Sequence, residues 1–446
     1  MSHYNDFPND DTALINPLMK KSGRWYYLTI ACLSAIVAWG LFSWGYQIRN
    51  GLGVTGMNSP IFWGIYIANF VFFIGISHAG TLISAILRVT QAEWRKPVTR
   101  CAEAITVFAL MVGPINVIID LGRVDRALNI IPFFKYGRFE SPLLWDVCCI
   151  TIYLLSSVTF LYLPLIPDIA MLRDKYTKRR WFYRILSLGW TGSPRQKKVL
   201  EKLMAIGTIL IIPIAVSVHT VVSWVFAMTV QPMWHSTIFG PYFVVGAIFS
   251  GIASLIIAMA ILRKALHLEE YLKPIHFNYL GLLLLTMCLL WFYFTFAEYL
   301  TTFYGAEPEH MAVFYSKLGG EYTYYFIFMI VTCFVIPFIF LAPAKLRTIT
   351  GTVIASIAIN IGMWLERFLI VVPTLSRPRL PYEHGIYHPT WVEFSIFAGE
   401  VATLCLLYVF FAKLFPIISI WELREKHEDE EATIKEKAVT TGSYEY

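Results

Sequence analysis

The chain has 446 residues, of which 57% are apolar and 16% aromatic, while Lys, Arg, Asp and Glu together make up 15%. Soluble chains carry about 25% charged residues, so with a mean hydropathy of +0.59 a cytosolic enzyme, a secreted disulfide scaffold and a disordered protein are all excluded. The composition is that of an integral membrane protein, and the net charge of +6 does not point to a nucleic-acid partner.

A bilayer-crossing helix takes roughly 20 mainly apolar residues. Ten stretches qualify: 25–45, 60–87, 101–121, 143–163, 203–230, 240–262, 277–304, 322–342, 350–372 and 392–416. Each is too long and continuous for barrel strands, which alternate over about ten residues. The fold class expected is therefore all-α integral membrane. An N-terminal segment over 1–24 precedes a ten-helix membrane domain over 25–420. A charged tail over 421–446, poor in apolar residues, is expected to be disordered. The acidic start (Asn5, Asp6, Asp10, Asp11) has no short apolar core before a cleavage site, so the first stretch itself directs insertion. With the N-terminus in the cytoplasm, 27 of the 36 Lys and Arg residues fall inside and 8 outside, the remaining one, Arg367, lying inside a stretch. That bias orients the chain with both termini cytoplasmic. Cations such as Lys178, Arg179 and Arg180 then read as topology determinants and anchors to anionic lipid.

Ionisable groups at membrane depth cost about 2.5–3.5 kcal/mol each and turn toward the bundle interior or a water-filled cavity. The second stretch holds His78 among small residues, with Gly75 and Ala79, and Ser77 and Thr81, spaced four apart so that another helix can approach closely. His78 reads either as a satisfied packing histidine or as an imidazole that accepts a proton from a buried hydroxyl. The third stretch carries Glu103 at its inner end. Further along, Pro114 should kink it, and Asn116, Asp120 and Arg123 recur at i, i+4 and i+7 on one face. That seam is either an interfacial ion pair or a place where Asp120 takes up a proton at the outer edge.

The fifth stretch has Pro213 and then Ser217, His219, Thr220 and Ser223. The seventh has Glu298 with Thr302 one turn on, and the ninth has Asn360, Trp364, Glu366 and Arg367 before Pro373. Singly these suit structural roles. Jointly they outline a broken hydrogen-bonded route between the two sides, which would also need water. None of the seven cysteines forms C-x-x-C, so iron–sulfur ligation by this chain is not expected. Only His78 and His219 lie well inside the stretches, which leaves a bis-histidine haem formally possible and disfavoured. No metal site is expected.

The run from Asn69 to Ser84 around Ser77-His78-Ala79-Gly80, with Gln91 to Pro97 and Asp120-Leu-Gly-Arg123, resembles the NrfD/PsrC family of membrane quinone-interacting subunits. Within it, the chain is most similar to the larger NrfD-like subunit of bacterial alternative complex III (the ActC type). The likeness covers essentially the whole chain, including Trp364 to Phe368. It implies two inverted four-helix bundles, spans 2–5 and 6–9, plus two peripheral helices, although no internal repeat is legible in the residues themselves. It further implies a bacterial inner-membrane complex with an iron–sulfur subunit, multihaem cytochrome c subunits and a second NrfD-like subunit. Menaquinol or ubiquinol would be the substrate, with no haem or cluster on this chain. Carried over residue by residue, His78 and Asp120 would be catalytic, with Arg123, Asp125 and Phe73 at the quinol. Glu103, His219, Glu298, Glu366 and Arg367 would form a proton pathway. Asp120 falls at the outer boundary and His78 about 13 Å from the inner end of its stretch, so the two meet only if that helix tilts or begins later. The competing class is a secondary transporter, which Pro-kinked helices and midplane charges suit equally.

Overall fold

The computed structural model describes residues 14–15, 18, 22–129, 140–175, 179–379 and 385–424. Among them are ten helices long and apolar enough to cross a membrane, and no β-strand. They are α1 Arg24–Asn50, α2 Ile65–Val89, α3 Thr99–Asp120, α4 Pro142–Tyr162, α5 Pro194–Ala227, α6 Phe239–Ala265, α7 Pro274–Gly305, α8 Thr323–Leu341, α9 Ile349–Ser376 and α10 Trp391–Leu414. Each matches an expected stretch. The helices pack as two rings, α2–α5 and α6–α9, while α1 and α10 pair outside them. Gly40 and Gly399 let that outer pair close, since a Cβ on Gly40 would stand 2.9 Å from the Gly399 Cα.

Helix α2 is the axis of the molecule and is buried along nearly its whole length. Between lipid-soluble helices, close van der Waals packing rather than water exclusion drives association, so small residues mark the contacts. Gly75 faces α6, where a Cβ would lie 3.4 Å from Ser250 Oγ. Gly80 faces α3, where a Cβ would run into the Ala102 carbonyl and Thr106 Oγ1. These approaches, together with contacts to α5 and α9, bind α2 to both rings.

Two local features, the start of α5 and the end of α3, differ from the sequence expectation, and the break at Pro114 matches it. Helix α5 begins nine residues before the apolar stretch, because Ser193 caps it by accepting from the Gln196 N–H at 3.3 Å and Pro194 stands at the first helical position. Helix α3 is interrupted at Gly113–Pro114, where the Asn116 backbone N–H and side-chain amide both turn back to the Gly113 carbonyl, at 3.1 and 3.2 Å. The seam of Asn116, Asp120 and Arg123 does not persist as one face. Gly122, at φ +64°, ends the helix in the left-handed region. Arg123 then swings out to an exposed pair with Asp125 at 2.8 Å.

The face bearing most of the cations is closed by chain that follows α10. Arg100 is fully buried; its guanidinium pairs with Asp168 at 2.5 Å and donates to the carbonyls of Pro164, Pro416 and Ile418. Asp168 also accepts from the Ile420 and Trp421 N–H groups at 3.2 and 2.9 Å. Glu422 sits between Arg88 and Arg95, at 2.8 and 3.1 Å. Burial works to raise its carboxyl, and the facing Arg88, Arg95 and Arg100 hold it below the usual carboxylate range. Residues 421–424, where the charged tail was expected to start, thus enter the fold, and the rest of that segment lies outside the described residues.

Candidate functional site

Within the first ring, α2, α4 and α5 bring three buried rings together. His78 and His219 are 4.2 Å apart, centroid to centroid, at 57°, and Tyr153 lies 5.1 Å from His78. The two imidazoles are in direct contact, with no gap for a planar group between them. The Nδ1 of His78 is 2.9 Å from the Ile74 carbonyl of its own helix, and its Nε2 is 2.6 Å from the Ala215 carbonyl of α5. A neutral imidazole has one N–H and can donate to only one of these oxygens, whereas a ring carrying both protons satisfies the two. Tyr153 donates to the Ser77 carbonyl and Thr81 Oγ1, and Thr106 donates to the same Ser77 carbonyl. One and a half turns deeper, Ser84 donates to Glu103. Neither nitrogen of His219 makes a hydrogen bond of ordinary geometry among the described residues, the Phe243 backbone being the polar group within its reach.

From His219 the polar groups continue into the second ring. Arg367 is buried with its guanidinium carbon 4.8 Å from the Phe243 ring centre, and it lies within electrostatic range of His219. Gly246 makes the room: a Cβ there would stand 2.5 Å from Arg367 Nη2. Arg367 Nη1 and Glu366 Oε2 are 2.9 Å apart. Beyond Glu366 lies a cavity of about 40 Å³, lined by Glu366, Tyr242, Thr295, Glu298, Lys317 and Thr374 among apolar neighbours. That is room for about three water molecules with polar partners on several sides. Glu298 accepts from Ser236 Oγ at 2.7 Å. Lys317 comes from the short helix Pro308–Leu318 and is 4% exposed. Burial pushes its ammonium down to about 8, against the opposing pull of Glu298 and Glu366.

Asp120 is elsewhere. It ends α3 beside Tyr66 and Glu393, and Tyr66 precedes His78 by twelve residues, about 18 Å of helix. Asp120 and His78 therefore cannot grip one small ring between them. Around Asp120, Gln47 of α1 donates to the Ile119 carbonyl at 3.0 Å and accepts from Tyr66 at 2.5 Å. Glu393 accepts from the N–H groups of Gly56 and Thr390, each at 2.8 Å, and from Tyr387. Two turns along α10 from Glu393, Glu400 accepts from Asn69, which accepts in turn from Trp364 at 2.8 Å. Asp120 Oδ1, Asn116 Oδ1 and Glu400 Oε1 are buried without a hydrogen bond of ordinary geometry to a protein donor. Phe73 packs alongside, 6.3 Å from Phe397, which stacks on Trp364 at 5.5 Å. Arg123 and Asp125, both 63% exposed, stand apart from this cluster.

The structure thus joins His78, His219, Arg367, Glu366 and Glu298 into one series, leaves Glu103 at its cation-rich end, and sets Asp120 with Phe73 in a second cluster. Sequence reading missed Glu400, Glu393 and Lys317. For Glu400 and Glu393 the signal was present, since both are acids within the tenth apolar stretch. Lys317 carried none, because a short helix after a polar turn reads as exposed.

The NrfD family model, described as polysulphide reductase, NrfD, matches residues 53–378. A Halobacterium salinarum protein, provisionally named as a membrane subunit of dimethyl sulfoxide reductase, is 28% identical over 250 residues, which cover 56% of this chain and only 54% of that protein. A selenate reductase subunit of Mesobacillus selenatarsenatis is 26% identical over 88% of the chain and 94% of its own length. The Hdr-like menaquinol oxidoreductase integral membrane subunit of Archaeoglobus fulgidus is 22% identical over the same shares. The family match takes in α2 to α9 whole, and with them both helical rings and the buried series that connects them. This multi-pass membrane chain belongs to the NrfD family.

Proposed function

We propose that the chain is the quinol-oxidising membrane subunit of a multi-subunit oxidoreductase. The carrying observation is the set of three buried acceptor oxygens, Asp120 Oδ1, Asn116 Oδ1 and Glu400 Oε1, that lack a hydrogen bond of ordinary geometry among the described residues, beside the Phe73–Phe397–Trp364 aromatics. A quinol brings two O–H donors and a flat ring, which are what that cluster lacks. Oxidation to the quinone releases two electrons and two protons. In this reading Asp120 takes one proton at the cation-poor face, the Glu400 carboxylate of the same cluster takes the other, and both electrons leave to an iron–sulfur subunit. Multihaem cytochrome c subunits and a second NrfD-like subunit would complete an assembly of the alternative complex III type. The names of the Archaeoglobus and Mesobacillus relatives support a reductase or menaquinol oxidoreductase setting. Menaquinol or ubiquinol is the substrate, and the cation bias supports cytoplasmic termini.

His78 then serves in proton movement, not at the quinol ring. Glu103 with Ser84, and then Tyr153, His78, His219, Arg367, Glu366, the cavity and Glu298, are in this reading the stations of proton translocation, with water needed to bridge Ser84 to Tyr153 and to fill the cavity.

The test is Asp120→Asn in the intact assembly. Quinol oxidation should fall at least about tenfold, as expected for loss of a positioned proton acceptor, while the same set of subunits still assembles. Wild-type turnover in that variant would overturn the assignment. Solute uptake by the chain alone in liposomes would favour the transporter class instead.

A further inference from the structure

The cation-poor face carries a second cluster that the redox reading does not use. His235 lies in the connection between α5 and α6, while Glu307 and His310 open the short helix after α7. One ligand-capable atom from each of the three lies within 4.8 Å of the others. The two imidazole rings are 4.7 Å apart, edge to face, and His310 Nε2 is 3.7 Å from Glu307 Oε2. We infer that His235, Glu307 and His310 form a binding site for a divalent transition-metal ion of the zinc class.

The donor set is the first argument. Two imidazoles and one carboxylate suit zinc, and a hard ion such as magnesium or calcium would select oxygens throughout. Geometry is the second. Bonds of 2.0–2.1 Å in a tetrahedral site place ligand atoms about 3.3 Å apart, so closure needs side-chain shifts of about 1 Å. His235 and Glu307 are exposed and His310 is partly so, leaving those side chains free to adjust. Orientation is the third. Nδ1 of His235 lies 3.2 Å from the Gln231 carbonyl, an arrangement that keeps the proton on Nδ1 and presents Nε2 as the ligand. Electrostatics agree: the Glu307 and Glu309 carboxylates face His310, with His235 and the Arg379 cation opposing them. Three protein ligands leave one position for water or for a ligand from a docked partner.

The placement gives the site a mechanical meaning. His235 adjoins Ser236, which holds Glu298, and lies next to Trp234 and Met233 in the cavity wall. A bound ion ties that connection to the helix that carries Lys317, and so clamps two sides of the cavity mouth together.

The test uses the full chain, without a polyhistidine tag, in the assembly in which it is extracted. Zinc is titrated calorimetrically, and cobalt is followed by its visible absorption. One equivalent should bind, with a tetrahedral cobalt spectrum and a rise in thermal midpoint. His235→Ala and His310→Ala should each weaken binding at least tenfold, and His388→Ala, an exposed histidine on the same face, should leave it unchanged. The metal-free midpoints of all variants should match, since these side chains lie at the surface. Absence of binding in the wild type, undiminished binding in the double variant, or loss only on replacing His388 would each overturn the site.

Discussion

His78 and His219 meet 4.2 Å apart with their rings tilted at 57°, and of the two only His78 makes hydrogen-bond contacts of ordinary geometry to carbonyl oxygens. The pair is asymmetric: one ring is held at both ends and the other mainly by packing. Replacing His219 with Phe keeps the shape and removes nitrogens that make no hydrogen bond of ordinary geometry, so the thermal midpoint should change by less than about 1 kcal/mol in equivalent stability. His78→Phe strips the Ala215 carbonyl of its side-chain donor and should cost about 1–3 kcal/mol. Thermal unfolding of the two variants in one detergent decides the matter, and equal losses would show that the hydrogen bonds of His78 carry no weight.

Two glycines on α2 should respond differently to the same added methyl group. At Gly80 the methyl meets the Ala102 backbone and Thr106, so α2 and α3 must separate, at a cost of about 1–3 kcal/mol for overpacking. At Gly75 the nearest atom is 3.4 Å away, and the gain in helix propensity of Ala over Gly, about 1 kcal/mol, offsets what remains. Gly80→Ala should therefore lower the midpoint clearly and Gly75→Ala should leave it nearly unchanged. The reverse order would contradict the helix packing.

Lys317 makes stability depend on alkaline pH. Its folded value of about 8 lies below the ordinary 10.5, so between these values the unfolded chain binds the extra proton. Stability then rises with pH across that window. The contribution is fully present above about 10.5 and is lost as pH falls through about 8. Lys317→Met removes the titration. Its stability advantage over the wild type should be largest near pH 7.5 and shrink toward pH 10, read from paired melting curves. A difference independent of pH would mean that Lys317 is not held in the cavity wall.

Much of this was legible from residues alone. The ten spans follow from uninterrupted apolar length, and the break at Pro114 from a missing N–H. What failed to show depends on tertiary position. Arg123 shares a helical face with Asp120 only while the helix continues, and Gly122 stops it. His78 and His219 are separated by a long stretch of chain, and nothing in their local patterns indicates that their rings touch. Glu400 was visible as an acid in an apolar stretch, but its link to Asn69 and Trp364 required three helices in place. Lys317 is buried by neighbours from α7 and α9, so its own short helix could not announce it.

The anchoring of Arg100, Asp168 and Glu422 across the far ends of the chain bears on biogenesis. Helices α2 to α4 emerge from the ribosome long before residues 416–422, yet Arg88, Arg95, Arg100 and Asp168 take partners from that last segment. Until translation is nearly finished, Arg88 and Arg95 lack their carboxylate, Arg100 and Asp168 have only each other, and the donors and acceptors still open must stay in contact with water or lipid headgroups. The first ring of helices is thus the first to be synthesised and the last to be sealed.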